Sequence, residues 1–326
     1  MKYAYNRFQR LITGLFAACV TLVGLALPAQ LRAQDQPAAN LQQQRFASSQ
    51  EAIKTLRAAA EAGDRAKVHE IFGPEVTNFF TGDEVQDKAN FKGFSEAMQD
   101  ACVPVPEGDA RITLNIGTND WPFPIPLVKE KGQWFFDTEA GREEIINRHI
   151  GGDELHAIGV CRAYVKAQKQ YFSQDRDSSG VRKYAQKFKS TSGQRDGLYW
   201  ESASEPSPFG ALVAEAHTEG YGKHSPGTGA HPLHGYLFHI LTGQGRAAPG
   251  GKTSYLANGN LTAGFALVAY PDKWGKSGIM TFIVNQDGKV YQRNFGEKTG
   301  EIAASISEYN PDRHWKLVQE PGFAEQ

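Results

Sequence analysis

The sequence is poor in cysteine and methionine, three of each in 326 residues, and beyond residue 33 it has no apolar run of membrane-spanning length. The first scarcity excludes a disulfide-stapled scaffold. The second excludes a helical membrane protein once the first 33 residues are set aside. A basic excess is missing too. Residues 1–33 hold four of the 35 Lys and Arg and no acid, so the remainder carries 31 basic against 36 acidic residues. With no basic stripe, nucleic acid is not an expected partner. Catalytic signatures are equally scarce. There is no G-x-S-x-G elbow, no phosphate-binding G-x-x-x-x-G-K-[ST], and no cysteine nucleophile beside a convincing histidine.

What is present begins with an export signal. Lys2, Arg7 and Arg10 precede the apolar "LITGLFAACVTLVGLALPA", and "QLRAQDQ" then turns polar. This pattern predicts a secretory signal peptide over 1–33, cleaved after Ala33 or Ala29. The expected location is therefore the periplasm or the extracellular space, with no transmembrane segment after signal removal. A linker over 34–45 leads into two expected domains, 46–150 and 151–320, with the paired glycines 151–152 as the break. Cys102 and Cys161 are the cysteines left after the signal. An oxidising compartment permits a bridge between them, while the position of Cys161 on the helical stripe Leu155, Ile158, Cys161, Val165 and Phe172 suits a buried free thiol.

In the first half, Ser48 and Glu51 stand in capping-box relation ahead of an apolar helical face of Ala52, Ile53, Leu56, Ala59 and Ala60. Gly63-Asp64 ends that helix, a shorter one follows through Val68, Ile71 and Phe72, and 90–101 is a third helical segment. Strands are predicted at 110–117, 121–130 and 133–138. The middle one, "WPFPIPLVKE", places proline at alternate positions. Prolines 122, 124 and 126 remove N–H donors from one side only, and the same alternation puts Trp121, Phe123, Ile125 and Leu127 on one face. This predicts an edge strand that pairs with "QWFFDT", is closed on its other side, and buries all four apolar residues. A proline-lined recognition groove is the alternative reading.

In the second half, a helix over 153–172 is interrupted by "DRDSSG", after which "VRKYAQKF" resumes helical spacing. Strands are expected at 236–243, 264–271, 278–288 and 289–296, with Gln286-Asp287-Gly288 as a hairpin turn. Helix-plus-antiparallel-sheet in each half gives an α+β fold of two domains.

Five stretches, "NDWPFPIPLV", "GQWFFDTEAGREEIINRHIG", "DGLYW", "HGYLFHILTGQG" and "GFALVAYPDKWGKSGIMTFIVNQDGKVY", together resemble the bacterial domain-of-unknown-function family 2950. The resemblance runs over nearly all of 44–317, implies an exported bacterial protein, and implies no activity. Residues 46–138 also resemble the cone-shaped cystatin and nuclear-transport-factor-two-like domains. Residues 153–296 resemble the globular heads of type IV pilin-like proteins. The helix here carries His156, Arg162, Lys166 and Lys169, which departs from the continuous apolar face of a pilin.

Three sets of residues are candidates for chemistry. Asp175, Asp177 and Ser179 fall at positions 1, 3 and 5 of a calcium loop, with Gly180 at the turn, but position 12 is the neutral Gln186, and a capped turn explains the same residues. His217, His224, His231 and His234 lie close together in a Gly/His/Pro-rich stretch and could ligate zinc or copper, although no regular metal spacing joins them. His69, Asp120, Asp137 and Glu139 could supply acid–base groups to a cone, with Asp137 equally suited to a helix N-terminus. The expected role is a non-enzymatic periplasmic or cell-envelope binding or structural protein, acting on an unknown envelope protein or a small ligand and needing no cofactor. A small-molecule enzyme using the first domain's cone and a calcium-stabilised structural protein are the alternatives.

Overall fold

A computed structural model describes residues 43–319 apart from 177, 203–204, 220 and 222–231. Residues 1–33, expected to be a signal peptide, and most of the expected linker lie outside these. Among the described residues no helix is long and apolar enough to cross a membrane.

The first half opens with α1 (Ser49–Glu61), α2 (Arg65–Phe72) and α3 (Glu84–Asp100). The capping box forms. Ser48 Oγ accepts the Glu51 N–H at 3.2 Å, and the Glu51 carboxylate reaches back to the Ala47 N–H, also at 3.2 Å. Asp83 caps α3 by accepting from Val85 and Gln86, so this helix begins six residues before the stretch expected from apolar spacing. The strands β1 (Cys102–Pro106), β2 (Arg111–Ile116), β3 (Trp121–Pro122), β4 (Leu127–Glu130) and β5 (Gln133–Phe136) then form one antiparallel sheet. Their order is β1-β2-β4-β5, with β3 also beside β2. Leu56, Ile71, Met98, Leu114, Leu127 and Phe136 centre this core.

The proline-rich stretch is not an edge strand. β4 pairs with both β2 and β5, while the preceding segment pairs with β2 through β3 and through the Phe123 N–H, 2.7 Å from Leu114 O. The missing donors of prolines 124 and 126 face the other way, beyond the end of β5. A helix, α4 (Thr138–Phe172), starts there instead of a strand. Its leading Asp137 N–H donates to Pro126 O at 2.8 Å, and Gly141 sits against Ile125. A helix start offers little backbone pairing for further strand donors, so their loss costs nothing. Phe123, Ile125 and Leu127 are buried as expected, but Trp121 is 41% exposed.

α4 runs unbroken through Gly151-Gly152, where a break was expected. Two helical glycines cost about 0.5–1 kcal/mol each relative to alanine. Burial of Ile150 and Asp153 on either side holds the register. Leu155, placed on the apolar stripe by spacing, is 64% exposed, and the buried face runs instead through Ala157, Cys161, Tyr164, Ala167 and Tyr171.

The second half continues with α5 (Gly210–Glu219) and β6 (Tyr236–Leu241). Four two-residue strands follow: β7 (Gly243–Gln244), β8 (Thr253–Ser254), β9 (Leu256–Ala257) and β10 (Asn260–Leu261). After them come β11 (Ala266–Pro271), β12 (Met280–Asn285), β13 (Tyr291–Asn294), α6 (Thr299–Ala304) and β14 (Lys316–Leu317). The main sheet is antiparallel in the order β14-β13-β12-β11-β6. β11 and β12 are buried on both faces, which is why they read as continuous apolar runs. The expected hairpin turn is present, with Gly288 at φ 78° donating its N–H to Asn285 O. The architecture is α+β.

The helix expected over 181–188 does not form. Gln168, fully buried on α4, holds Ala185 in extended conformation by bonding both its N–H and its C=O at 2.8 Å. Tyr184 N–H donates to Leu261 O. A buried amide that must be satisfied outweighs local helical spacing.

Cys102 packs, partly buried, against the first core and Cys161 is buried in the second, and both are free thiols. Burial pushes the Cys161 thiol up to about 12, and burial also raises Cys102, against the lowering effect of Arg57. The thiolate is the reactive species. In the native protein Cys161 is therefore expected to resist iodoacetamide at neutral pH and Cys102 to react slowly, both becoming labelled on unfolding. Rapid native labelling of Cys161 would contradict its placement.

Candidate functional site

The residues singled out from sequence do not converge as a group. Asp137 caps α4 by accepting the Ala140 N–H at 3.1 Å, and Glu139 pairs with Arg142 at 2.6 Å. His69 stacks on Phe80, and Asp120 occupies a turn at φ 50°. In the candidate calcium loop, Asp175 Oδ2 accepts the Gly180 N–H at 2.7 Å and Oδ1 accepts that of Ser179 at 3.2 Å. Both carboxylate oxygens thus already order a turn. Asp177 lies outside the described residues, as do His224 and His231. His217 is exposed on α5.

The first half instead contains an open pocket of about 870 Å³ between α3, the β2–β3 end of the sheet and α4. One wall is aromatic. Phe123 lies 5.9 Å from Phe72, 5.4 Å from Phe94 and 6.4 Å from Trp121, ring centre to ring centre. Such tilted contacts suit π-systems with negative faces and positive edges. Polar groups adjoin this wall. The Arg148 guanidinium lies over Trp121 at 4.6 Å, donates to Glu144 at 2.5 Å, and reaches Pro122 O at 3.3 Å.

Next to Arg148 a polar cluster leads from the exposed Asn90 to the buried Asp153. Asn90 Nδ2 lies 3.3 Å from His149 Nδ1, which as an acceptor leaves the ring proton on Nε2. That Nε2 is 3.3 Å from Asp153 Oδ2, and Asp153 Oδ1 accepts from Gln86 Nε2 at 2.5 Å. Asp153 is 1% exposed. Gln86 Oε1, His149 Nε2 and Asp153 Oδ2 are buried without a well-formed hydrogen bond, so the cluster has capacity left for a further polar group. Sequence reading missed these residues. His149 and Asp153 are one helical turn apart, but the expected break at Gly151-Gly152 separated them, and Gln86 and Asn90 come from another helix.

In the second half, His234 meets partners that spacing could not supply. Its ring stacks on that of His156 from α4, and its Nε2 lies 2.8 Å from Glu219 Oε2 at the end of α5. The three line a smaller, mainly apolar cavity of about 460 Å³.

Fold and pocket together define an α+β protein with two cores and an aromatic-walled recess in the first. The chain belongs to the family described as protein of unknown function (DUF2950), whose model matches residues 43–318. Comparison with curated proteins and with solved structures gives no match.

Proposed function

We propose that this is an exported binding protein of the cell envelope, and that its first half takes up a small, largely apolar or aromatic molecule bearing a hydrogen-bond-accepting group. The observation that carries this reading is the pocket of about 870 Å³, with aromatic rings on one wall and Arg148, His149 and Asn90 adjoining it. Binding sites for small molecules are usually apolar clefts of roughly 300–1,000 Å³ with a few convergent polar groups, and this recess has that character. Export rests on the signal-like residues 1–33. The pocket favours the small ligand over the envelope protein as the bound partner.

Gly93 supplies the test. It lines the pocket from within α3, and a Cβ added there would meet nothing within 4 Å. Gly93→Phe should therefore fill the recess without evicting a core side chain. The wild-type protein is expected to bind anilinonaphthalene sulfonate, with a change in the emission of the half-exposed Trp121. Gly93→Phe should weaken that binding at least tenfold while leaving the melting temperature unchanged or higher. Equal dye binding by both proteins would sink the proposal.

A second reading, a small-molecule enzyme, is favoured by the His149–Asp153 pair in the polar cluster. A carboxylate that orients an imidazole is a common arrangement for proton transfer. His149→Gln separates the two readings. It should change dye affinity alike under either, and it should abolish turnover of any substrate found for the pocket only under the second.

A further inference from the structure

The second half carries a different constellation. His156 projects from the middle of α4, Glu219 is the last residue of α5, and His234 precedes β6. Donor atoms from the three side chains all lie within 4.8 Å of one another. The imidazole rings are nearly parallel, 3.8 Å between centres at an interplanar angle of 11°. We propose that His156, Glu219 and His234 form a binding site for a divalent transition-metal ion, with Zn2+ as the reference case.

The donor chemistry suits such an ion. Two imidazoles and one carboxylate are typical of protein zinc sites, and three protein ligands leave a fourth position for water or a ligand. Metal–ligand bonds of about 2.0–2.2 Å hold the donors of a tetrahedral ion roughly 3.3–3.6 Å apart, so the widest pair in the cluster has to close by about 1.3 Å at most. Rotation about the side-chain torsions of His156 and Glu219, both of which reach solvent, can supply that.

The support behind His234 is a separate observation. His234 has φ 45°, a conformation that non-glycine residues adopt rarely and that clusters at functional positions. Its backbone N–H donates to Tyr221 Oη at 3.1 Å, and Tyr221 Oη donates to the buried Asp83 at 2.7 Å. This chain fixes the backbone that presents the imidazole, as outer groups do around metal sites. A bare Glu219–His234 ion pair would require neither the strained backbone nor the second ring.

The experiment uses the full chain after its residual metal has been stripped with EDTA. Zn2+ titrated calorimetrically should bind at one equivalent per chain, and Co2+ should give visible d–d absorption of low-coordinate intensity. His156→Ala, Glu219→Gln and His234→Asn should each weaken Zn2+ at least tenfold and dim the Co2+ band. Asparagine is chosen because it tolerates positive φ and so preserves the turn. His217→Ala and the double variant His224→Ala/His231→Ala should bind as wild type, and circular dichroism should show every variant folded. The proposal fails if the wild type binds no Zn2+. It also fails if folded His156→Ala binds normally, or if removal of His224 and His231 abolishes binding while His156→Ala retains it.

Discussion

Phe282→Ala is expected to cost about 3–5 kcal/mol, the range for removing a fully buried aromatic ring. Phe282 lies in β12 at 0% exposure, its ring 5.9 Å from that of Tyr236. The more telling expectation concerns where the loss is felt. α4 packs its C-terminal part on β11 and β12, while its N-terminal part closes the first core against the proline-rich segment. Damage to the second core should therefore loosen the first as well. The two thiols report on this independently, since Cys102 packs, partly buried, against one core and Cys161 is buried in the other. In a urea series on Phe282→Ala, both should become open to alkylation over the same concentration range, at a lower midpoint than in the wild type. Exposure of Cys161 alone, with Cys102 still protected, would show that the halves unfold separately.

Two glycines of the same helix should respond to alanine with opposite signs. At Gly141 an added Cβ would lie 2.7 Å from Ile125 Cγ1, 2.9 Å from Pro124 O and 3.0 Å from Ile125 Cα. Two of these are backbone atoms that cannot swing aside, so Gly141→Ala should destabilise by about 1–3 kcal/mol. At Gly151 the added Cβ meets nothing within 4 Å. Gly151→Ala should stabilise by about 0.5–1 kcal/mol, because alanine has less conformational freedom to lose. Urea midpoints of the two variants measure both effects. A neutral Gly141→Ala would mean that α4 does not press on the proline segment, and a destabilising Gly151→Ala would mean that the helix is not continuous there.

Features fixed by neighbouring residues were legible in the sequence. The Ser48–Glu51 box, the turn at Gly288 and the Asp137 cap all follow from contacts a few residues apart. Features fixed by distant groups were not. Alternating prolines told that one side of the strand lacks donors, but the side that keeps them faces β2 rather than "QWFFDT", and a helix rather than solvent covers the proline side. The spacing of "VRKYAQKF" fits a helix, yet the buried Gln168 amide draws Ala185 into extended form. The candidate sites divide in the same way. His234 stood out in its histidine-rich stretch, whereas His156 and Glu219 join it only through the packing of α4, α5 and β6. Asp153 was hidden for a simpler reason, since a charge one turn from a histidine carries no signal once a helix break is assumed between them.

The continuity of α4 also limits how such a protein can be divided. At 1.5 Å per residue its 35 residues form a rod of about 50 Å with one core near each end. Severed near Gly151-Gly152, each fragment would keep half a rod with frayed backbone and lose the partner surface that steadies it. A cut there should leave neither fragment folded by itself, and the family model accordingly matches this chain across the whole rod, residues 43–318.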